Sequence, residues 1–183
     1  MYKDLRSKNF IFVPFCTLSQ SFMANGLVKS EWPSVLKPII DICMQNNLNI
    51  IQMPCIETLY WGKDNGLGRN PKSYDVYNNK EFREFSTEKA QQVVCSIEEI
   101  LQHGFSVVAI LGIEYSPSCA VSLQYAGRKG TLKKSGIFID EMVEILRNKN
   151  ISIPMIGINR RWLDSSVKKI EKIIDSKQIG LDI

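Results

Sequence analysis

The sequence predicts an α/β fold, a three-layer Rossmann-like or flavodoxin-like parallel sheet with helices on both faces, and three observations carry the prediction. Short apolar runs rich in β-branched and aromatic residues occupy positions 10–15, 50–54 and 107–113. Between them lie longer stretches whose apolar residues recur every three or four positions, the period of a helix packed on one side. Strand and helix signals alternate along the chain, and that alternation builds a parallel sheet with right-handed crossovers.

The first strand ends at Phe15, and Cys16 opens a loop through Thr17, Ser19, Asn25 and Gly26. A first helix is expected from about Ser30 or Glu31, with Pro33 in its first turn and a stripe of Val35, Leu36, Ile39, Ile40, Cys43 and Met44. Pro38 lacks an N–H and should bend that helix or delay its start. Asn46 and Asn47 end it, and a second strand over 48–54 delivers Cys55. Residues 57–86 show no clear period, and such long stretches are often functional, so a lid over the cysteine edge is expected there. A second helix is expected from Thr87, carrying Ala90, Val93, Val94, Ile97, Ile100 and Leu101, and ending at His103-Gly104. The third strand ends near Gly112, and Cys119 follows in the next loop. A glycine- and lysine-rich segment over 127–136 then precedes a third helix over 137–148, a fourth strand over 151–158, and a fourth helix with Val167, Ile170, Ile173 and Ile174.

The 183 residues suffice for one domain spanning 1–183, and 44% hydrophobic with 23% charged residues is ordinary globular composition. The net charge of +4 comes from scattered lysines and arginines and selects no partner. The N-terminus leads directly into the first strand, a run too short for a signal or membrane segment, so a cytoplasmic protein is expected. In a reducing compartment the five cysteines are ligands, nucleophiles or core residues, not disulfides.

Three of those cysteines, Cys16, Cys55 and Cys119, each stand just past a strand. Parallel strands would bring their sulfurs to one carboxyl edge, where open α/β sheets bind ligands. Three convergent thiolates suit a soft metal or an iron-sulfur site with one coordination position open. Buried cysteine is the competing reading. Cys43 falls on an apolar stripe and reads as a core residue, and Cys95 receives no role. Glu57 lies two residues past Cys55 and is a candidate proton carrier. Ser116 and Ser118 precede Cys119 and are candidate hydrogen-bond donors. His103, the sole histidine, falls at a helix end away from that edge, which argues against a Cys-His pair or a histidine-rich zinc site. The chain has no G-x-x-x-x-G-K-[ST] loop and no G-x-G-x-x-G after its first strand, so nucleotide-dependent chemistry is not indicated. Arg128, Lys129, Lys133 and Lys134 form a basic stretch without interleaved aromatics, more a solvated loop than a nucleic-acid contact.

Cys16-Thr17-Leu18, Pro54-Cys55-Ile56-Glu57, Gly66-Leu67-Gly68-Arg69-Asn70-Pro71 and Ser116-Pro117-Ser118-Cys119 together resemble the motif series of the thiouracil desulfidase family, over roughly residues 9–160. The family's series runs C-L-L, C-P-E, G-L-x-x-R-x-P and S-P-S-C-G, and this chain resembles a smaller branch of it. Ile56 stands at the proline of C-P-E, Ala120 at the glycine after S-P-S-C, and Thr17-Leu18-Ser19 at the first motif. The resemblance implies that Cys16, Cys55 and Cys119 hold a 4Fe-4S cluster with one iron free of protein ligands. It further implies that a small thiolated compound such as 2-thiouracil exchanges its thiocarbonyl sulfur for oxygen without net redox change. Glu57 would accept the proton, and Ser116 or Ser118 would steady the substrate.

Two other readings stay open. The thiolates could hold zinc or a labile cluster in a sensing module without turnover, or the chain could act on thiolated transfer RNA. The modest basic stretch ranks RNA below free small molecules, and no membrane partner is expected.

Overall fold

A computed structural model of the chain describes residues 4–125, 127 and 130–178. Four strands, β1 (Asn9–Pro14), β2 (Asn49–Met53), β3 (Ser106–Ile113) and β6 (Met155–Ile158), form a wholly parallel sheet in the order β2-β1-β3-β6. The chain steps outward from β1 to β2 and then returns to the other side of β1 for β3. Strand order therefore reverses between β1 and β3, and the crevice outside their carboxyl ends is the switch point of such a sheet.

Helices cover both faces. On one side α2 (Lys37–Gln45), with Leu36 just before it, and α7 (Leu163–Gln178) pack Leu36, Ile39, Ile42, Ile170 and Ile174 onto Ile11, Val13, Leu111 and Ile158. On the other, α5 (Lys80–Gln102) and α6 (Ile137–Asn148) pack Val94, Ile97, Phe138 and Met142 onto Phe12, Val107 and Ile110. Covered on both faces, β3 is buried over seven of its eight residues instead of alternating. Burying each large aliphatic side chain contributes about 1.5–3 kcal/mol. The pairing of β1 with β3 shifts register between Phe10 and Ile11, which pair with Val107 and Ala109. Val108 and Ala109 consequently pack into the same core.

The expected elements are found, with shifted bounds. Pro38 sits in the first turn of α2, so the helix starts at Lys37 and not near Ser30. Ile42, not Met44, completes its buried stripe, and Met44 is exposed. Asn47 adopts φ 50° where the chain leaves the helix. The fourth strand begins at Met155 because Pro154 has no N–H to offer; its carbonyl still accepts from Ile110 N at 2.9 Å. His103 caps the carboxyl end of α5, at the opposite edge from the three cysteines.

The largest departure lies in the stretch read as an irregular loop. Residues Ile56–Asn65 form α3, Tyr74–Tyr77 form a short α4, and α5 begins at Lys80, seven residues before Thr87. Asn79 caps α5, its side chain accepting from Phe82 N at 2.9 Å. Gly62, at φ 61°, breaks the helical path inside α3 and hides its period. Aromatic rings hold the stretch together: Tyr60 meets Phe82 edge-on at 4.9 Å, and Tyr77 packs on Phe82 at 4.7 Å.

Between β3 and α6, Gln124–Tyr125 (β4) and Thr131–Leu132 (β5) pair as a small antiparallel hairpin. Of the basic stretch there, Arg128 and Lys129 lie outside the described residues. Lys134 donates to Tyr74 Oη at 2.7 Å and lies over that ring.

Candidate functional site

Each of the three cysteines leaves a strand at the sheet's carboxyl end. Cys16 lies in a single helical turn, Phe15–Leu18 (α1), directly after β1. Phe15 and Phe22 stack at 3.7 Å, folding the following loop back on that turn. The Gln20 amide closes it by donating to the Cys16 carbonyl. Cys55 is the residue preceding α3, two positions after β2. Its Sγ receives Thr58 Oγ1 at 3.1 Å and faces the Phe22 carbonyl at 3.9 Å.

Cys119 is held by its turn and by the start of α6. Ser116 Oγ accepts from Ser118 N at 3.3 Å and from Cys119 N at 3.0 Å. The first N–H groups of α6 donate back into that turn: Ile137 N to the Pro117 carbonyl at 3.1 Å, and Phe138 N to the Ser118 carbonyl at 3.0 Å. Two glycines let the turn sit this close. A Cβ on Gly112 would collide with the Cys119 carbonyl, and one on Gly136 would collide with the Ser118 carbonyl and reach within 2.8 Å of Cys119 N.

Cys16, Cys55 and Cys119 are half-buried residues. Burial pushes Cys16 up to about 12, and the neighbouring Cys55 adds to the rise while Arg160 opposes it. Burial also raises Cys119, against a hydrogen bond from Ser118, with further increments from Cys55, Glu57 and Cys16. Electrostatic coupling thus links Cys16 to Cys55 and Cys119 to both. Among the described residues, no group of three or more His, Cys, Asp or Glu side chains is gathered to hold a metal ion. Cys43 is fully buried, as its stripe predicts, and Cys95 is exposed.

Glu57 is the hub of the polar network behind the cysteines. Its carboxylate is buried and each oxygen accepts twice: Oε1 from Ser118 Oγ at 2.7 Å and Ser116 Oγ at 3.2 Å, and Oε2 from Arg69 Nε at 3.1 Å and Tyr77 Oη at 3.2 Å. Ser118 Oγ also lies 3.4 Å from Cys119 Sγ. The three polar residues expected near the cysteines are therefore one connected network.

Arg69, Tyr77 and Thr58 complete the network, and sequence reasoning gave them no role. Arg69 is buried with 7% of its surface exposed, and every nitrogen of its guanidinium is engaged. Nη1 donates to the Phe22 carbonyl at 3.0 Å, to Thr58 Oγ1 at 2.9 Å and to the Gly66 carbonyl at 3.2 Å, while Nη2 reaches Cys55 Sγ at 3.7 Å. Burial works against its charge, but Glu57 and the Cys55 sulfur outweigh that and hold its pKa above the usual guanidinium value. Burial chiefly, then Glu57, raises the Tyr77 phenol well above its ordinary value, so it remains a donor. The available signal for Arg69 was its place in the Gly66-Leu67-Gly68-Arg69-Asn70-Pro71 stretch quoted for the resemblance, which assigns that arginine no role.

The arrangement defines an α/β protein whose switch-point edge carries three thiols and a buried, fully hydrogen-bonded carboxylate. Along its sequence the chain is 27% identical over 172 residues to the "Uncharacterized protein MJ0003" of Methanocaldococcus jannaschii, covering 93% of this chain and 99% of that one. Among solved structures it is similar to a [4Fe-4S]-dependent thiouracil desulfidase, TudS, with 15% identity, a TM-score of 0.46, and coverage of 88% of this chain and 97% of that one. No family model matches the chain. No helix among the described residues is long and apolar enough to cross a membrane.

Proposed function

We propose that the protein is an iron-sulfur-dependent desulfidase that replaces the thiocarbonyl sulfur of a small thiolated compound with oxygen. The observation that carries the reading is the junction of Glu57, Ser118 and Cys119. A buried carboxylate oxygen, a hydroxyl and a candidate ligand sulfur stand in hydrogen-bonding sequence at the switch-point edge.

The donor set suits a 4Fe-4S cluster on chemical grounds. Cys16, Cys55 and Cys119 would hold it, since thiolates are the protein ligands such clusters take. Thr58 and Arg69 already direct hydrogens at Cys55, the kind of contact that tunes cluster sulfurs, and Ser118 Oγ stands within hydrogen-bonding reach of Cys119 Sγ. Arg69 and Arg160 supply positive charge beside thiolates. When bound, such a cluster supplies an open Lewis-acid position that polarises a thiocarbonyl.

The chain's own residues do the remainder. Arg69 and Tyr77 fix Oε2 of Glu57, leaving Oε1 toward the serines and Cys119. Oε1 accepts a proton of the attacking water as the C–O bond forms and returns it to the sulfur as the C–S bond breaks, so the sulfur leaves as hydrogen sulfide, and the Ser116 and Ser118 hydroxyls steady the substrate beside it. The segment from Ile56 to Tyr77 walls this edge; its backbone meets the loop after Cys16 where Asn25 N donates to the Arg69 carbonyl at 2.7 Å.

Glu57→Gln tests the reading. After anaerobic reconstitution it should keep the visible absorbance of the cluster and lose sulfide release from 2-thiouracil by about 10²–10⁴-fold, the usual contribution of a positioned acid-base group. Undiminished sulfide release would contradict it.

A further inference from the structure

The carboxyl edge of the sheet does not end at the cysteines. Beyond β6, and beside the loop that follows Cys16, lies a cavity of about 920 Å³ lined by Lys29, Arg160, Arg161, Lys168, Lys169 and Lys172. Only Glu31 and Asp164 bring negative charge to its wall, and among the described residues none of the six cations forms an ion pair. A chain with scattered charge thus concentrates unpaired positive charge at one place. The fold does this by setting residues 160–161, the outer face of α7 and the 29–32 segment against one another.

Two tryptophans share the cavity. Trp32 is half-buried, its backbone N–H held by the Lys29 carbonyl at 3.1 Å, and Trp162 is 70% exposed. An indole that is mostly in water beside a row of lysines offers an unoccupied stacking face. Arg160 connects the cavity to the cysteine edge: Nη2 donates to Gln20 Oε1 at 3.1 Å, the same Gln20 whose amide grips the Cys16 carbonyl, and its buried Nε has no partner.

We propose that this cavity is a docking surface for single-stranded RNA, which presents a thiolated base to the cysteine edge. Single strands are bound by a positive groove that tracks phosphates together with aromatic side chains on which bases stack, and both components are present. The basic stretch judged from the sequence lacked aromatics; this one, assembled from three separate segments, has them. An anionic membrane would need an apolar helix face to insert, but α7 spends Ile170 and Ile174 on the core. The inference rests on the desulfidase reading only for the fate of the base; binding is independent of it.

The test is fluorescence anisotropy of a short fluorescein-labelled polyuridine RNA with the full chain, across a salt series. Binding should weaken with salt, with a slope of log K against log salt near −3 if about four phosphates are neutralised. Lys168→Glu with Lys172→Glu should weaken binding at least tenfold and flatten that slope. Trp162→Ala should weaken it about five-fold or more, as loss of one stacked base does. Lys133→Glu, in the hairpin, should change nothing. All three altered positions on the cavity are exposed, so folding is retained. No salt-dependent binding, or equal binding by the charge-reversed variant, would overturn the proposal. So would displacement by free uridine monophosphate at equal nucleotide concentration, or tighter binding to phosphatidylserine vesicles than to RNA. RNA binding with sulfide released from neither a thiolated strand nor 2-thiouracil by reconstituted protein would sink the desulfidase reading and leave the surface standing. Release from 2-thiouracil without RNA binding would do the reverse.

Discussion

Arg69→Leu should destabilise the protein by about 3–5 kcal/mol, the usual cost of removing one partner of a buried ion pair. Glu57 and Arg69 side chains are only 10% and 5% exposed, so solvent screens little of their 3.1 Å contact. Leucine would leave the carboxylate without its cation and release the Phe22 and Gly66 carbonyls and the Thr58 hydroxyl at once. Those three groups belong to the loop after β1, the turn before Leu67, and α3, so a single guanidinium ties the walls of the site together. Urea unfolding measures the loss. A double-mutant cycle with Glu57→Gln should show strong non-additivity, because the second substitution removes the charge that the first left stranded. Additive effects would mean that the two groups act independently.

Gly136→Ala is the second substitution with a large expected effect. The new methyl would meet backbone of the Ser118–Cys119 turn, which cannot rotate away as a side chain can. Overpacking of this kind costs about 1–3 kcal/mol. More tellingly, it would push out the turn that carries Cys119 and loosen the hydrogen bonds that the first N–H groups of α6 make to Pro117 and Ser118. Iodoacetamide labelling should then modify Cys119 several-fold faster than in the wild type, while the exposed Cys95 labels at an unchanged rate and serves as the internal reference. Equal labelling of Cys119 would show that the turn does not depend on the glycine contact.

The sheet was legible because β1, β2 and β3 are short β-branched runs, and their parallel pairing follows from the helical stretches between them. α6 was legible to the residue, since its stripe of Phe138, Met142 and Leu146 has no interruption. The Ile56–Tyr77 region was not. Its helices are short, one is broken at Gly62, and their stability comes from ring contacts among Tyr60, Trp61, Tyr77 and Phe82 that are remote from any simple period. α5 began early for a reason the sequence does carry: Asn79 is a capping residue, and Phe82 and Ser86 extend the buried face backward from Ala90. For the site, strand ends predicted where the cysteines go, and proximity in sequence predicted Glu57, Ser116 and Ser118. Arg69 and Tyr77 reach Glu57 across 12 and 20 residues, Arg160 reaches Gln20 across 140, and only folding reveals such partners. The basic cavity was hidden for the same reason.

Joint ligation of one cluster by Cys16, Cys55 and Cys119 is what the proposed chemistry at this edge requires. Its most direct measurement is iron and acid-labile sulfide content with visible absorption after anaerobic reconstitution, for the wild type and for Cys55→Ser. The wild-type protein should be brown with close to four irons and four sulfides per chain, a composition set by the cluster type, and the variant should have lost the cluster. A colourless, iron-free wild type under the same conditions, or an undiminished cluster in Cys55→Ser, would contradict joint ligation.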